Sequence, residues 1–430
     1  MARFPPDHPQ RVELADEVHA RPPVPVATPS RATYVAVLVD APGRAAEIAH
    51  LQALAAQFGV AAPAADARHF RARLGALQLK WERHGEFSGY TVIAPGAEGP
   101  AFARAAVDEL PAAWLAGVPG RTVAAVHAEL TGADAAADDA ALAERFGARG
   151  VVGCEVADGR AALYTDFRLR EDGCSRVWLV NRRLTDAQSG RFLQRLFEIE
   201  AYRVLALLAL PIVRELAPRL AAIESALATL TDAMAREGAD DEALLHQLTQ
   251  LAAEVERHIA ASQFRIGACE AYHGLVLRRI AELRETRLAG LQTIEEFMNR
   301  RLAPAVGTCS NVAQRLKGLA ERIGQASTLL ATRVGIVRER QNQALLASMN
   351  RRVKLQLRLQ QTVEGLSVAA IAYYVVGLVG YAAKGLKSAG MHLDPDLAVG
   401  AAIPVVVGVV FLGLRRMRRH LGTHDGDEAA

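Results

Sequence analysis

The stretches GLSVAAIAYYVVGLVGYAA (Gly365–Ala383) and LAVGAAIPVVVGVVFLGL (Leu397–Leu414) decide the architecture of the C-terminal end of the chain. Neither stretch contains a charged residue, and each is close to the roughly 20 apolar residues that a helix needs to cross a bilayer. The polar loop Lys384–Asp396 separates them. The sequence therefore predicts a transmembrane hairpin over residues 364–420, and a pair of buried helices in a soluble protein is the alternative.

The charges beside these stretches predict an orientation. Basic residues precede the first stretch and follow the second, and fewer of them lie in the loop. Cytoplasmic segments next to membrane spans carry an excess of Lys and Arg. We therefore expect both termini on the cytoplasmic side of the membrane. The basic residues before the hairpin are Arg351, Arg352, Lys354 and Arg358, those after it are Arg415, Arg416, Arg418 and Arg419, and those in the loop are Lys384 and Lys387.

Composition narrows the classes of partner. The 430 residues carry a formal net charge of +3, so no nucleic-acid partner is indicated. The four cysteines are far apart in the sequence and form no CxxC pair, which favours reduced thiols over a zinc ribbon or a disulfide scaffold. The sequence thus predicts no metal site, and the partners we expect are the lipid bilayer and further copies of the chain.

The N-terminal half alternates between strand and helix patterns after a Pro-rich arm (residues 1–31). Tyr34–Val39 is a short β-branched run, and Arg44–Phe58 has apolar residues on one helical face. Further strands are predicted near residues 68–83, 88–93, 122–130, 151–156, 161–168 and 176–180, with helices at Phe102–Leu115 and Asp138–Phe146. Asp-Gly turns between the last strands favour hairpins. The fold class is therefore α+β, with an α/β domain at 32–186 whose mixed sheet is partly antiparallel.

Residues 187–363 show only helical patterns. Val312, Leu316, Leu319, Ile323, Ala326 and Leu330 step by alternating fours and threes. This spacing is typical of a coiled-coil seam. We therefore predict long helices and a coiled coil that lead into the hairpin.

No motif with known chemistry occurs in the chain. The P-loop, GxGxxG after a strand, GxSxG and HExxH patterns are all missing. The densest group of functional side chains is Arg83, His84 and Glu86, which we treat as a candidate ligand-binding site. The alternative is a strand end where Trp81 packs and the charges pair across a hairpin. No catalytic residue and no cofactor is predicted.

Three longer stretches carry a resemblance to a family. They are HPQRVELADEVHARPP (His8–Pro23), LKWERHGEFSGYT (Leu79–Thr91) and GRFLQRLFEIEAYRVLALLALP (Gly190–Pro211). With them the chain resembles a bacterial family of membrane-anchored proteins known as domain of unknown function 3422. The resemblance covers nearly the whole chain and implies membrane attachment, but it supplies no catalytic residues.

The order of segments is also similar to that of CorA-type magnesium channels, which carry Gly-Met-Asn at the outer end of their first span. Here the loop has Gly390, Met391 and His392, followed by Asp394. His stands where that family has the Asn that contacts the hydrated ion. Two hypotheses follow: a membrane-anchored, oligomeric, non-enzymatic protein that binds a ligand or partner, and a divalent-cation channel with Mg²⁺ as its ion. An enzyme that uses Arg83, His84 and Glu86 is a third option.

Overall fold

The computed structural model describes residues 5, 7–12, 14–15, 22–96, 99–135, 137–147, 150–236, 238–388 and 394–421. It divides the chain into two units, residues 1–330 and 331–430. The predicted boundary between sheet and helices, near residue 186, lies inside the first unit.

The first unit begins with strands and short helices. In chain order its elements are β1 (Ser30–Leu38), α1 (Ala41–Gln57), β2 (His69–Leu74), β3 (Leu77–Arg83), β4 (Phe87–Pro95), a 3-10 turn (Ala106–Glu109), α2 (Ala112–Ala116), β5 (Arg121–Gly132), α3 (Asp139–Phe146), β6 (Val152–Val156), β7 (Ala161–Thr165) and β8 (Ser175–Asn181).

Longer helices follow. They are α4 (Asp186–Leu207), α5 (Ala209–Met234), α6 (Asp241–Leu283), α7 (Ile294–Arg301) and α8 (Ala303–Ser388), with the two-residue strand β9 (Thr286–Arg287) between α6 and α7. Three of the helix starts carry aspartate side-chain caps. Asp40, Asp138 and Asp240 each accept a backbone N–H bond in the first turn of α1, α3 and α6. The α+β fold class predicted from the sequence is confirmed.

The nine strands found among the described residues form one open sheet in the order β2-β3-β4-β1-β5-β8-β7-β6-β9. Every neighbouring pair is antiparallel except β5 and β8, which run parallel with His127 opposite Arg176. The Asp-Gly hairpins are present, since β6 pairs antiparallel with β7 and β7 with β8. The predicted mixed, partly antiparallel sheet is therefore correct.

One face of the sheet and the long helices share a single core. Tyr34 on β1 stacks on Phe197 of α4, with ring centroids 5.2 Å apart. The same core continues through α5 and α6 into the first turns of α8. The predicted seam from Val312 to Leu330 lies within it, and five of its six members are buried. The seam therefore packs inside one chain and gives no reason by itself for a second copy.

The other face of the sheet is covered in two separate places. Trp81 is fully buried against α1, where its indole donates a hydrogen bond to Glu47 at 2.9 Å. At the opposite end, Trp178 on β8 packs with Tyr164 and with Phe146 of α3. The middle of this face, over β1 and β5, lies between these two clusters.

One predicted helix is wrong. Residues Phe102–Leu115 form the 3-10 turn and the short helix α2, with Leu110 extended between them at ψ 155°. Pro111 explains the break, because proline disfavours helical backbone at the residue before it and cannot donate a hydrogen bond itself.

The second unit contains the rest of α8 and the helix α9 (Pro395–Leu421). Ala372 and Ala383 on α8 are buried. A Cβ at Gly380 would lie 3.0 Å from Val399 on α9, so the two helices approach closely at this glycine. Small residues allow such an approach between helices.

A backbone crossing at Gly190 provides a test of how the N-terminal segment is held. Val24 and Val26 are buried, and Val26 donates a backbone hydrogen bond to Asp186. A Cβ at Gly190 would lie 1.8 Å from the Val24 carbonyl oxygen.

We expect Gly190→Ala to lower the free energy of unfolding of the first unit by about 3 kcal/mol, because the segment must move or α4 must shift. All three tryptophans belong to this unit, so tryptophan fluorescence in urea measures it. Gly267→Ala is the control, since that exposed helical glycine has open space around its Cβ and alanine should gain up to about 1 kcal/mol. Equal stability of both variants would contradict the crossing.

Candidate functional site

A cavity of about 780 Å³ lies over β1 and β5, between the two clusters that cover this face of the sheet. Side chains of both strands form its floor. The segment 102–115 forms one wall and the turn before β8 forms another. The residues that line it are Thr33, Val35, Phe102, Ala103, Ala105, Val107, Asp108, Leu115, Thr122, Ala125, His127, Asp172, Gly173 and Cys174.

A His, an Asp and a Cys meet at one edge of this cavity. His127 points from β5, and the parallel pairing of β5 with β8 places the turn before β8 beside it. Asp172 and Cys174 lie in that turn, and Ser175 donates a hydrogen bond to Ala125 at 3.4 Å. One donor atom from each of His127, Asp172 and Cys174 falls within 4.8 Å of the others.

Hydrogen bonds hold each member of the group. The Nδ1 of His127 is 2.9 Å from the Thr33 hydroxyl, and its Nε2 is 3.7 Å from Asp172 Oδ2. Asp172 accepts the backbone N–H of Cys174 at 2.9 Å through Oδ1 and a guanidinium N–H of Arg176 through Oδ2. His127, Cys174 and Arg176 are buried, whereas Asp172 is exposed. Three ligand types that bind metals are thus oriented at a cavity wall.

Burial controls the protonation of the group. It lowers the pKa of His127 to about 4, and the positive charge of Arg176 lowers this pKa further. The negative charges of Asp172 and Asp108 act in the opposite direction. Burial also raises the pKa of the Cys174 thiol to about 11, with Asp172 acting in the same direction. Burial alone would raise the pKa of Asp172, but its bonds to Arg176 and Cys174 hold that pKa below its ordinary value. At neutral pH the imidazole is therefore neutral and the carboxylate is charged.

The wall opposite the group is anchored by charged residues. Phe102 has φ 53°, in the left-handed region, and donates its backbone N–H to the buried Glu129 on β5. Arg31 on β1 pairs with Glu109 at 2.8 Å and donates to the carbonyl of Arg104. The Arg176 guanidinium lies 5.4 Å from the Phe102 ring centre. These contacts tie the segment 102–109 to the sheet.

The residues proposed from the sequence, Arg83, His84 and Glu86, each have a different partner. Arg83 lies on the α1 side of the sheet, 3.5 Å from Glu47, and donates a hydrogen bond to the Arg44 carbonyl at 2.9 Å. His84 stacks on Phe87 with ring centroids 4.3 Å apart. Glu86 pairs with Arg265 on α6. The alternation of side chains along a strand separates neighbours in the sequence.

His84 instead lines a small polar cavity of about 30 Å³ on the α4 side of the sheet. Lys80 and Glu82 are there paired at 2.9 Å, and Lys80 donates to Gln194 on α4 at 3.2 Å. Two of the three stretches that carry the family resemblance meet at this cavity, and Val24 directly after the third also lines it. These polar side chains pair with one another, so the cavity marks a buried polar contact between the sheet and α4.

Most of the loop candidates lie outside the described residues. Gly390, Met391 and His392 lie outside the described residues, and Asp394 is exposed at the start of α9. Among the residues at the ends of the predicted spans, Gly365 and Leu397 are exposed and Ala383 is buried. Leu414 lies in α9. By length and composition, α8 and α9 are both apolar enough to cross a membrane, with mean hydropathy of 1.8 and 2.2 over their apolar windows.

Comparison with protein families decides the identity of the chain. Residues 6–421 match the family described as "Protein of unknown function (DUF3422)". The chain belongs to this family. No curated protein and no solved structure matches it. The resemblance to DUF3422 predicted from three stretches is thus confirmed, and the similarity to CorA-type channels is not supported.

Sequence reasoning on this DUF3422 member missed the His127 group, and the sequence contains only a weak signal for it. A histidine in the otherwise apolar run 123–128 and the alternation Asp172-x-Cys174-x-Arg176 that begins in a turn are visible. What joins them is the parallel pairing of β5 with β8, across more than 40 residues. A parallel neighbour requires a crossover connection and is not marked by a local turn pattern.

The low pKa of His127 predicts a pH dependence of stability. An unfolded histidine has a pKa near 6.5, so between pH 6.5 and 4 the unfolded chain binds a proton that the folded chain does not. The free energy of unfolding of the first unit should therefore fall as the pH falls through this window, by up to about 3 kcal/mol from this residue.

We expect His127→Gln to flatten that decline, measured by tryptophan fluorescence in urea at pH 7 and pH 4.5 with a chelator present. The control is His246→Gln, at an exposed position on α6, which should keep the wild-type slope. Identical pH dependence of wild type and His127→Gln would show that the imidazole titrates normally in the fold.

Proposed function

We propose that this protein is a membrane-anchored, homo-oligomeric binding protein. Its second unit crosses the bilayer as a helical hairpin, and its first unit binds a small ligand or partner at the cavity over β1 and β5. The observation that carries the proposal is the exposure of the apolar residues on α8 and α9. We propose no reaction for it.

The exposed side chains of the second unit support the anchor. Leu366, Tyr381 and Leu397 are 75%, 76% and 73% exposed, and they are typical of their neighbours on both helices. Covering a large apolar side chain is worth about 1.5–3 kcal/mol. A lipid bilayer supplies this cover for uncharged helices of this length. We place the hairpin in a bacterial inner membrane with both termini in the cytoplasm, on the basis of the flanking basic residues.

A second apolar surface supports the oligomer. Before the hairpin, α8 carries Leu345, Leu346, Met349, Val353 and Leu357 on one side, all more than half exposed. Their spacing of three and four residues is that of a helix–helix seam. Arg351, Lys354 and Arg358 lie on the other side. A second copy of the same helix is the simplest cover for such a surface, because homo-oligomers dominate among soluble assemblies.

The cavity supports the binding role. Ligand sites are concave, mostly apolar and carry few polar groups that point inwards. The cavity over β1 and β5 is concave and more polar than this, with apolar residues such as Val35 and Leu115 beside the polar groups of His127, Asp172 and Asp108. The cation-channel alternative stays a prediction from the sequence, because its loop residues Gly390, Met391 and His392 lie outside the described residues.

Membrane insertion is tested by extraction and topology. We expect the full chain, expressed in a bacterial host, to stay in the membrane pellet after alkaline carbonate, which releases peripheral proteins. Reporter fusions at the C-terminus should be active only as cytoplasmic reporters. Carbonate release of the wild-type chain would contradict the anchor, and an active extracytoplasmic reporter at the C-terminus would contradict the orientation.

The oligomer is tested with matched substitutions on α8. We expect Met349→Lys with Val353→Lys to reduce the particle mass of detergent-solubilised protein to that of a monomer, because like charges would face each other in the seam. Leu355→Lys is the control, since Leu355 is equally exposed but lies on the opposite side of the helix. Light scattering during size exclusion measures the mass. A monomeric wild type would contradict the oligomer, and dissociation by the control would contradict the seam.

A further inference from the structure

We infer that His127, Asp172 and Cys174 form a binding site for a divalent transition-metal ion of the zinc type, open to the cavity over β1 and β5. This inference rests on the proposed binding role of that cavity and names its ligand class. It departs from the sequence-based prediction of no metal site, which considered ligand spacing along the chain and not residues that the fold brings together.

The donor set selects the class of ion. An imidazole nitrogen, a thiol sulfur and a carboxylate oxygen are the three ligand types found around zinc. A thiolate excludes Mg²⁺ and Ca²⁺ as preferred ions, because these hard cations take oxygen ligands. Three protein ligands with one open position are typical of zinc sites that hold water or a small molecule. The cavity supplies the space for that fourth ligand.

The distances require only a small adjustment. Zn–N and Zn–S bonds of about 2.0 and 2.3 Å in a tetrahedron separate ligand atoms by roughly 3.3–3.7 Å. Here Nε2 of His127 lies 3.7 Å from Asp172 Oδ2, and all three donor atoms fall within 4.8 Å. The separations are at most 4.8 Å, so closing the group to this range takes side-chain or turn shifts of about 1 Å.

The surroundings of the group orient the ligands. Thr33 lies at hydrogen-bond distance from Nδ1 of His127, so that nitrogen can carry the proton and leave the Nε2 lone pair facing Asp172. A metal-binding histidine usually donates its other N–H to a protein group in this way. Asp172 is held by the N–H of Cys174 through Oδ1, which leaves Oδ2 for the ion. Arg176 shares Oδ2 and would have to yield part of that contact when the ion binds.

Binding also requires loss of the thiol proton. The Cys174 S–H bond breaks, its proton leaves to solvent, and the sulfur lone pair bonds the ion. Metal affinity should therefore rise with pH, because one proton is released for each ion bound. No oxidant or reductant takes part in this step.

The experiment uses the full chain in detergent, purified with a tag that contains no histidine and dialysed against a chelator. Co²⁺ is the spectroscopic probe and Zn²⁺ the competitor. We expect one Co²⁺ per chain, with an absorption band from thiolate-to-cobalt charge transfer, and displacement of that band by Zn²⁺. Cys174→Ser should abolish the band, and His127→Gln and Asp172→Asn should weaken binding at least tenfold. Thr33→Val should weaken it roughly 10–100-fold.

Cys154→Ser is the matched control, because Cys154 is another buried free thiol of the same sheet, bonded to Glu285 away from the cavity. It should leave the band unchanged. Near-ultraviolet circular dichroism of the three tryptophans checks that each variant is folded. Failure of the wild type to bind Co²⁺, or a band that survives Cys174→Ser, would overturn the inference. Carbonate extraction of the same protein tests the membrane anchor independently. A chain that stays in the membrane pellet but binds no Co²⁺ would contradict the metal site and leave the proposed anchor in place.

Discussion

The parallel pairing of β5 with β8 is the contact on which the first unit depends. It joins two antiparallel blocks, β2-β3-β4-β1-β5 and β8-β7-β6-β9, into one sheet. A parallel pair cannot be closed by a tight turn, so the chain between the two strands must form α3, β6 and β7 before it returns. The return places the turn at Asp172 against the middle of β5. The candidate site is thus a consequence of the strand order.

The same order explains why the sheet is covered unevenly. One face is buried by α4 and the helices that follow, and this core is continuous. On the other face, α1 covers one antiparallel block and α3 covers the other. Within the described residues, the segment 102–115, interrupted at Pro111, lines the cavity over the join between the blocks, and no long helix lines it. A cavity remains over the join, and polar side chains such as His127 can line it because the described residues form no apolar core over this part of the sheet.

Local patterns predicted the parts of the fold that depend on neighbours in the sequence. The strand of β-branched residues at Tyr34, the helix Asp138–Phe146 and the Asp-Gly hairpins are all recognisable, because turn and cap chemistry acts within a few residues. The seam from Val312 to Leu330 was also real, but its partner is the chain's own helices. Periodicity shows that a helix face is buried and does not show against what.

The residues of the predicted site have separate partners for a related physical reason. Arg83 and His84 are adjacent in the sequence, yet they lie on opposite faces of the sheet. Arg83 pairs with Glu47, and His84 lines the cavity on the α4 side. Adjacency in a strand therefore argues against a shared site. His127 and Cys174 are far apart in the sequence but share a face and an edge, because the parallel register aligns Val126 with Ser175. In a mixed sheet, the residues that share a site are those on one face of neighbouring strands. Only the strand order identifies them, and here it leads to the cavity edge where imidazole, carboxylate and thiol meet.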